Sequence, residues 1–215
     1  MARRIGNKVV IVGCGPGSLG YITLKALRRI QEADVLVGSR RLLSLFPEVQ
    51  AEKLALGGKN YRPLLNKIAS LSMRKRVVVL VSGDPGFFSY ASLLINKLGK
   101  ETCEIVPGIS CIQLAFAAIG RSWNDACFVS LHGRKTALPR LVEALKTRDT
   151  VAVLNDNAVS PGLLCEFLRK EGIKGKKIYL CENLSLEKER VRELDFSSLE
   201  EIEAEGMNVM IFLSE

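Results

Sequence analysis

The sequence predicts an α/β protein in two domains, the first built on a parallel sheet, and three observations carry that prediction. Apolar runs of strand length recur along the chain, each followed by a segment whose apolar residues fall at helical spacing. Three of these runs, 9–12, 76–82 and 103–106, break into glycine-containing loops before the next helix begins. Residues 120–125, Gly120-Arg121-Ser122-Trp123-Asn124-Asp125, then interrupt the alternation and set a boundary between a domain over 1–121 and a second over 122–215. Strand, loop and helix in repeated succession build a sheet covered by helices.

The first strand, Val9-Val10-Ile11-Val12, is β-branched and suits a pleated sheet. It runs into Gly13-Cys14-Gly15-Pro16-Gly17-Ser18-Leu19-Gly20, where glycines let the backbone turn sharply and approach a ligand with no Cβ in the way. Gly15 to Gly20 has the G-x-G-x-x-G spacing of a dinucleotide-binding loop. That reading also requires an acidic residue at the end of the second strand, to hold ribose hydroxyls. Here the second strand, 34–37, ends in Gly38-Ser39-Arg40-Arg41, and Asp34 precedes it. The loop therefore argues against NAD or FAD and leaves a nucleoside ligand of another kind open. Between these strands, Leu24, Leu27 and Ile30 share one face of a helix over 21–33. Arg40 and Arg41 lead a short helix ending near Pro47. Residues 48–60 read as a connector with Gly57 and Gly58, and a helix covers 63–71 with Pro63 in its first turn.

Residues 76–82 are apolar enough to form a central strand of a parallel sheet. They lead into Gly83-Asp84-Pro85-Gly86-Phe87-Phe88 and a helix over 89–98; strand 103–106 leads into Pro107-Gly108-Ile109-Ser110 and an apolar helix over 111–119. Ligands of an open parallel sheet bind beyond the carboxyl ends of its strands, so three glycine loops at such ends build one pocket. In the second domain, strand 127–131 precedes His132, Arg134 and Lys135, a helix covers 137–146, and strand 150–154 precedes Asn155. Ser160 and Pro161 form an N-cap and first-turn pair for a helix reaching 170. Strands 177–181 and 208–213 follow, while the acidic stretch 182–205 reads as a hairpin or an exposed helix.

Composition narrows the function. A chain of 215 residues with 47% hydrophobic and 25% charged residues buries a core without disulfides or metals, which excludes a disordered or fibrous protein. No apolar run approaches the ~20 residues that cross a bilayer, and no cleavable leader is evident, so a cytoplasmic protein without membrane contact is expected. Cys14, Cys103, Cys111, Cys127, Cys165 and Cys181 are scattered without a C-x-x-C pair and read as reduced thiols; with His132 the one histidine, no metal site is expected. The net charge, 31 − 23 = +8, implies an anionic partner. Basic residues are spread along the chain with no arginine-rich arm, which argues against nucleic acid and fits a carboxylate-rich small molecule.

Val12-Gly13-Cys14-Gly15-Pro16-Gly17, Ser82-Gly83-Asp84-Pro85-Gly86-Phe87-Phe88 and Val106-Pro107-Gly108-Ile109-Ser110, in this order on successive strand ends, resemble the motifs of the tetrapyrrole methylase family. The resemblance covers essentially the whole chain. It implies S-adenosylmethionine as cofactor, in a cleft that a C-terminal mixed-sheet α/β domain closes. Val37-Gly38-Ser39-Arg40-Arg41-Leu42, Ser130-Leu131-His132-Gly133-Arg134, and Leu154-Asn155-Asp156 with Ser160-Pro161 are similar to one branch of the family. That branch methylates carbon 5 of cobalt-precorrin-7, or of its cobalt-free counterpart precorrin-6Y, in cobalamin biosynthesis. In some relatives the domain is fused to a decarboxylating carbon-15 methyltransferase, and the end of this chain at Glu215 implies that such an activity resides on a separate protein. The resemblance also implies a homodimer, and cofactor contacts at Gly15, Pro16, Gly83, Asp84, Phe87, Ser110, Cys111, Leu154, Asn155 and Glu182, many through backbone. Three alternatives stay open: methylation at another ring carbon, a family relative acting on diphthamide or ribosomal RNA, and a non-catalytic cofactor-binding subunit of the carbon-15 enzyme.

Methyl transfer from a sulfonium to an electron-rich carbon is a displacement, in which alignment is worth up to roughly 7–11 kcal/mol. It needs no nucleophilic triad, and no catalytic side chain is assigned. The acetate and propionate arms of such a macrocycle suit arginine forks. Arg40, Arg41, His132 and Arg134 are the candidate substrate contacts, and His132 also reads as a structural residue at a strand end.

Overall fold

The computed structural model describes residues 7–57, 61–131, 137–155, 159–199, 202 and 208–214, and divides into two compact units, Met1–Ser110 and Cys111–Glu215. The first unit runs β1 (Val9–Gly13), α1 (Leu24–Gln31), β2 (Val35–Gly38), α2 (Arg40–Leu43), β3 (Glu52–Ala55), α3 (Tyr61–Ser72), β4 (Val77–Val81), α4 (Ala91–Leu98) and β5 (Cys103–Val106). All pairings are parallel, in the order β3-β2-β4-β1-β5.

β4 sits at the centre, and its lack of polar alternation follows from that place. Val77, Val79 and Val81 pack with Leu64, Leu65 and Ile68 of α3 and with Ala91 and Leu94 of α4. Val78 and Leu80 pack with Ala26 and Ile30 of α1 and with Leu42 and Leu43 of α2. Successive side chains leave opposite faces of a strand, so a strand covered on both faces must be apolar throughout. Each such side chain contributes about 1.5–3 kcal/mol when fully buried. Thr23 and Ser39 cap α1 and α2, accepting hydrogen bonds from the Ala26 and Leu42 amides at 3.2 and 3.3 Å. The sequence reads 48–60 as a connector, whereas 52–55 form β3. This edge strand pairs on one side only, and its exposed Glu52 and Lys53 erase the apolar alternation that would mark it.

The second unit runs α5 (Cys111–Ala118), β6 (Cys127–Ser130), α6 (Leu138–Thr147), β7 (Thr150–Asn155), α7 (Pro161–Lys170), β8 (Lys176–Glu182), β9 (Arg190–Leu194), α8 (Phe196–Leu199) and β10 (Asn208–Ser214). Its sheet has the order β6-β7-β10-β8-β9, with β6 and β7 parallel and the rest antiparallel. This is the mixed sheet that the resemblance implies. Leu141 and Leu145 of α6 and Leu164 and Leu168 of α7 pack with Val151, Val153, Ile178, Leu180, Met210 and Phe212. α5 packs beside β10, with Ile112, Ala115 and Phe116 buried. Ser160 accepts from the Leu163 amide at 3.2 Å as the N-cap of α7. The acidic stretch is neither a hairpin of its own nor a single exposed helix: it supplies β9, which pairs antiparallel with β8 ahead of it, and then the short α8.

Candidate functional site

In the first unit the three glycine loops leave the carboxyl ends of neighbouring strands β4, β1 and β5. Their backbones meet at Gly13, Gly83 and Gly108. A Cβ built on Gly13 would stand 2.6 Å from the Gly83 carbonyl oxygen and 2.7 Å from the Gly108 Cα. A Cβ on Gly108 would overlap the same Gly83 carbonyl. Gly15 and Gly83 form an isolated antiparallel bridge, with the Gly83 amide donating to the Gly15 carbonyl at 2.8 Å and the Gly15 amide returning a bond at 3.3 Å. Both have positive φ, 71° and 64°, which favours glycine at each position. Pro16 is buried within the first loop.

Asp84 ties two of these loops together. Its Oδ1 accepts from the Gly86 amide at 2.7 Å, closing the turn of the second loop, and its Oδ2 accepts from the Gly108 amide at 3.0 Å in the third. The carboxylate is therefore engaged inside the unit and holds the loops in register. Phe87 is half-buried and packs edge to face on Phe88, with ring centroids 4.7 Å apart; Phe88 has a φ of 48° and is exposed. Ser110 is buried at the end of the third loop.

Arg40 and Arg41 open α2 and are both exposed. The structure brings Arg41 to the site, where its Nη2 donates to Ser82 Oγ at 3.0 Å, one residue before Gly83. Burial pushes the Cys14 thiol in the first loop up to about 12, a rise that the Arg41 charge opposes.

In the second unit, Asn155 ends β7, Glu182 ends β8 and Asn208 opens β10, and the register sets Asn208 opposite both. Directly paired residues present their side chains on one face, so these three form a polar row, 3%, 1% and 4% exposed in that order. Asn155 Nδ2 donates to the Val159 carbonyl at 2.9 Å, while its Oδ1 is buried without a partner among the described residues. Glu182 is held by two arginines of β9. Arg190 donates from Nε at 3.0 Å and from Nη2 at 3.3 Å, and Arg192 donates from Nη2 at 2.7 Å. Leu154 lies one position back and on the opposite face, in the row of Val209 and Cys181. Burial lifts the Cys181 thiol to about 12, with Glu189 and Cys111 adding to the rise, and it lifts the Cys111 thiol to about 11. Leu154 and Cys181 thus share one face, while the side chains of Asn155 and Glu182 occupy the other.

His132 and Arg134 lie outside the described residues. Gly13, Gly108 and Ser82 belong to the motifs, yet their roles as junction and anchor are invisible without strand order. Asn208 carries a sequence signal, a polar residue opening an apolar run. Among the described residues no group of three or more His, Cys, Asp or Glu could hold a metal ion, and no helix is long and apolar enough to cross a membrane.

The family described as Tetrapyrrole (Corrin/Porphyrin) Methylases matches the chain over residues 8–200. A probable cobalt-precorrin-7 C(5)-methyltransferase of Methanocaldococcus jannaschii is 35% identical over 198 residues, covering 90% of each chain. The cobalt-precorrin-7 C(5)-methyltransferase of Salmonella typhimurium is 34% identical over 208 residues, covering 96% of this chain and 99% of that one. Among solved structures, the uroporphyrin-III C-methyltransferase of Thermus thermophilus complexed with S-adenosyl homocysteine superposes with a TM-score of 0.75 at 26% identity, covering 96% of this chain and 97% of that one.

Proposed function

The chain belongs to the tetrapyrrole (corrin/porphyrin) methylase family, and on that premise we propose that it methylates carbon 5 of cobalt-precorrin-7 or precorrin-6Y at the expense of S-adenosylmethionine. The observation that carries this reading is the nearly end-to-end likeness to two proteins of that name. Incubation of the purified chain with cobalt-precorrin-7 and methyl-labelled cofactor is expected to add one label to the macrocycle at carbon 5. Transfer to another carbon, or none, overturns it.

When bound, S-adenosylmethionine supplies an electrophilic methyl group on a sulfonium. The first unit offers such a group three loops locked against one another at Gly13, Gly83 and Gly108, at the carboxyl ends of β1, β4 and β5 where a parallel sheet takes its ligands. We assign Gly15, Pro16, Gly83, Phe87 and Ser110 to cofactor contact, with Asp84 acting through the two amides it holds. In the second unit, the orphaned Oδ1 of Asn155 is an acceptor that a ligand hydroxyl or amine would satisfy. Cys111 and the backbone of Leu154, whose side chain faces the other side of the sheet, join it as proposed contacts, and Glu182 acts through the backbone that its ion pairs fix. Arg40, Arg41, His132 and Arg134 are the proposed partners of the macrocycle's carboxylates. Rigid loops serve the reaction by alignment, the largest effect available to a displacement of this kind. In this reading the protein works in the cytoplasm as a homodimer beside a separate decarboxylating carbon-15 methyltransferase; light scattering with and without that enzyme tests both associations.

A further inference from the structure

We propose that Ser82 is a positioning residue that holds the Arg41 guanidinium as a docking point for a substrate carboxylate at the carboxyl end of β4. The inference rests on the reading of the substrate as a tetrapyrrole with acidic arms. Its basis is how the described arginines are used. Arg29 is engaged by Glu104 and Glu32, Arg76 by Asp34, and Arg190 and Arg192 by Glu182. In each case a protein carboxylate already neutralises the fork. Arg41 meets no carboxylate within ion-pair distance among the described residues, a trait it shares with surface arginines such as Arg28, Arg40 and Arg74; what sets it apart is that its guanidinium is held by a neutral hydroxyl, Ser82 Oγ, at 3.0 Å, beside the glycine loop after β4. Its charge is unspent, and the N–H donors that Ser82 does not take stay available for a bidentate carboxylate contact.

The placement is built rather than incidental. Gly38 lets the end of β2 press against β4, since a Cβ there would stand 3.0 Å from Leu80 Cβ. The Ser39 cap then turns α2 immediately, so that Arg41 falls over Ser82. A long arginine side chain loses rotamer freedom on binding; a hydroxyl that holds one of its nitrogens in advance lowers that cost.

The test compares equilibrium binding of a tetrapyrrole with free acetate and propionate arms against its fully esterified counterpart, in the full chain and in variants. Arg41→Gln is expected to weaken binding of the acid roughly ten- to a hundredfold, and Ser82→Ala roughly three- to tenfold. Both should leave the ester unchanged. In turnover, Ser82→Ala should raise KM for the macrocycle while KM for S-adenosylmethionine and kcat hold. Unchanged acid affinity in Ser82→Ala, or equal losses for acid and ester, overturns the proposal. Should Ser82→Ala fail to fold, Arg41→Lys decides: it keeps the charge but not the fork, so acid affinity must fall between wild type and Arg41→Gln, and wild-type affinity refutes the anchored fork. Absence of methyl transfer by the wild-type chain would sink the carbon-5 reading and leave this comparison intact.

Discussion

Replacing Gly13 with alanine would drive a methyl group to 2.6 Å from the Gly83 carbonyl oxygen and 2.7 Å from the Gly108 Cα. Backbone atoms cannot swing aside as a flexible side chain can, so the strand ends must part. Overpacking of this kind costs about 1–3 kcal/mol. Gly13→Ala is expected to lower the urea midpoint and to weaken binding of S-adenosylhomocysteine together. Gly20→Ala is the control, because a Cβ there meets nothing within 4 Å, and its unfolding free energy should change by less than about 0.5 kcal/mol. An unchanged midpoint in Gly13→Ala would remove the junction from the account. Cysteine reactivity offers a second check at this scale. Cys14 and Cys181 are 0% and 1% exposed, with burial lifting both thiols to about 12, so a disulfide reagent at pH 8 should leave them unmodified until the chain unfolds. Rapid labelling of either in the folded protein would contradict their burial.

Elements are joined by ion pairs of unequal weight. Asp34, ahead of β2, accepts from the Arg76 amide at 2.7 Å and from its guanidinium at 2.8 and 3.2 Å, ahead of β4. The Arg76 side-chain hydrogen bonds, then the amide, hold the Asp34 carboxyl down at about 2, below its ordinary 3.8. A depressed carboxyl stabilises the fold above the unfolded value and loses that contribution as pH falls from about 4 towards 2. Asp34→Asn should flatten the stability profile across that window; because the pair is exposed, the effect should be modest and shrink in salt. A profile as steep in the variant as in wild type would show that Asp34 contributes nothing there. Glu182 is the opposite case, with its side chain 1% exposed. Removing both Arg190 and Arg192 strands a buried carboxylate and is expected to cost about 3–5 kcal/mol by urea unfolding. A loss below about 1 kcal/mol would mean that the hairpin does not depend on this cluster.

The same elements show where reading a sequence succeeds. β4 and the glycine loops are legible because their cue is local: a β-branched run must be buried, and a glycine must be where the chain turns or touches. β3 and β9 are not, since an edge strand carries charges such as Glu52 and Arg190 that mimic a loop or an exposed helix. Asp84 looks like a ligand contact, and its bonds to Gly86 and Gly108 become visible only when the third strand end lies beside the second. Arg41 and Ser82 are likewise brought together by the β2–β4 pairing, which no spacing in the sequence records.

For the whole molecule, ligand linkage is the most direct measurement. A ligand that binds only the folded chain, at a hundred times its Kd, adds about 2.7 kcal/mol. S-Adenosylhomocysteine is expected to raise the unfolding midpoint accordingly, and NAD to leave it unmoved; the reverse order would restore the dinucleotide reading of Gly15 to Gly20. The α/β class and the two sheets follow from strand and helix periodicity together with the family likeness, whereas strand order does not, because it depends on contacts distant along the chain. That order carries a consequence for biosynthesis. β10, the last of its sheet's strands along the chain, is the middle strand of that sheet, flanked by β7 and β8. The first sheet has all its strands once Val106 has emerged, so it can settle while translation continues. The second must wait, its β8–β9 hairpin and its parallel β6–β7 pair unjoined, until residues 208–214 arrive to bridge them. A nascent chain stalled before Asn208 should therefore protect its first half from protease and leave its second half open to cleavage.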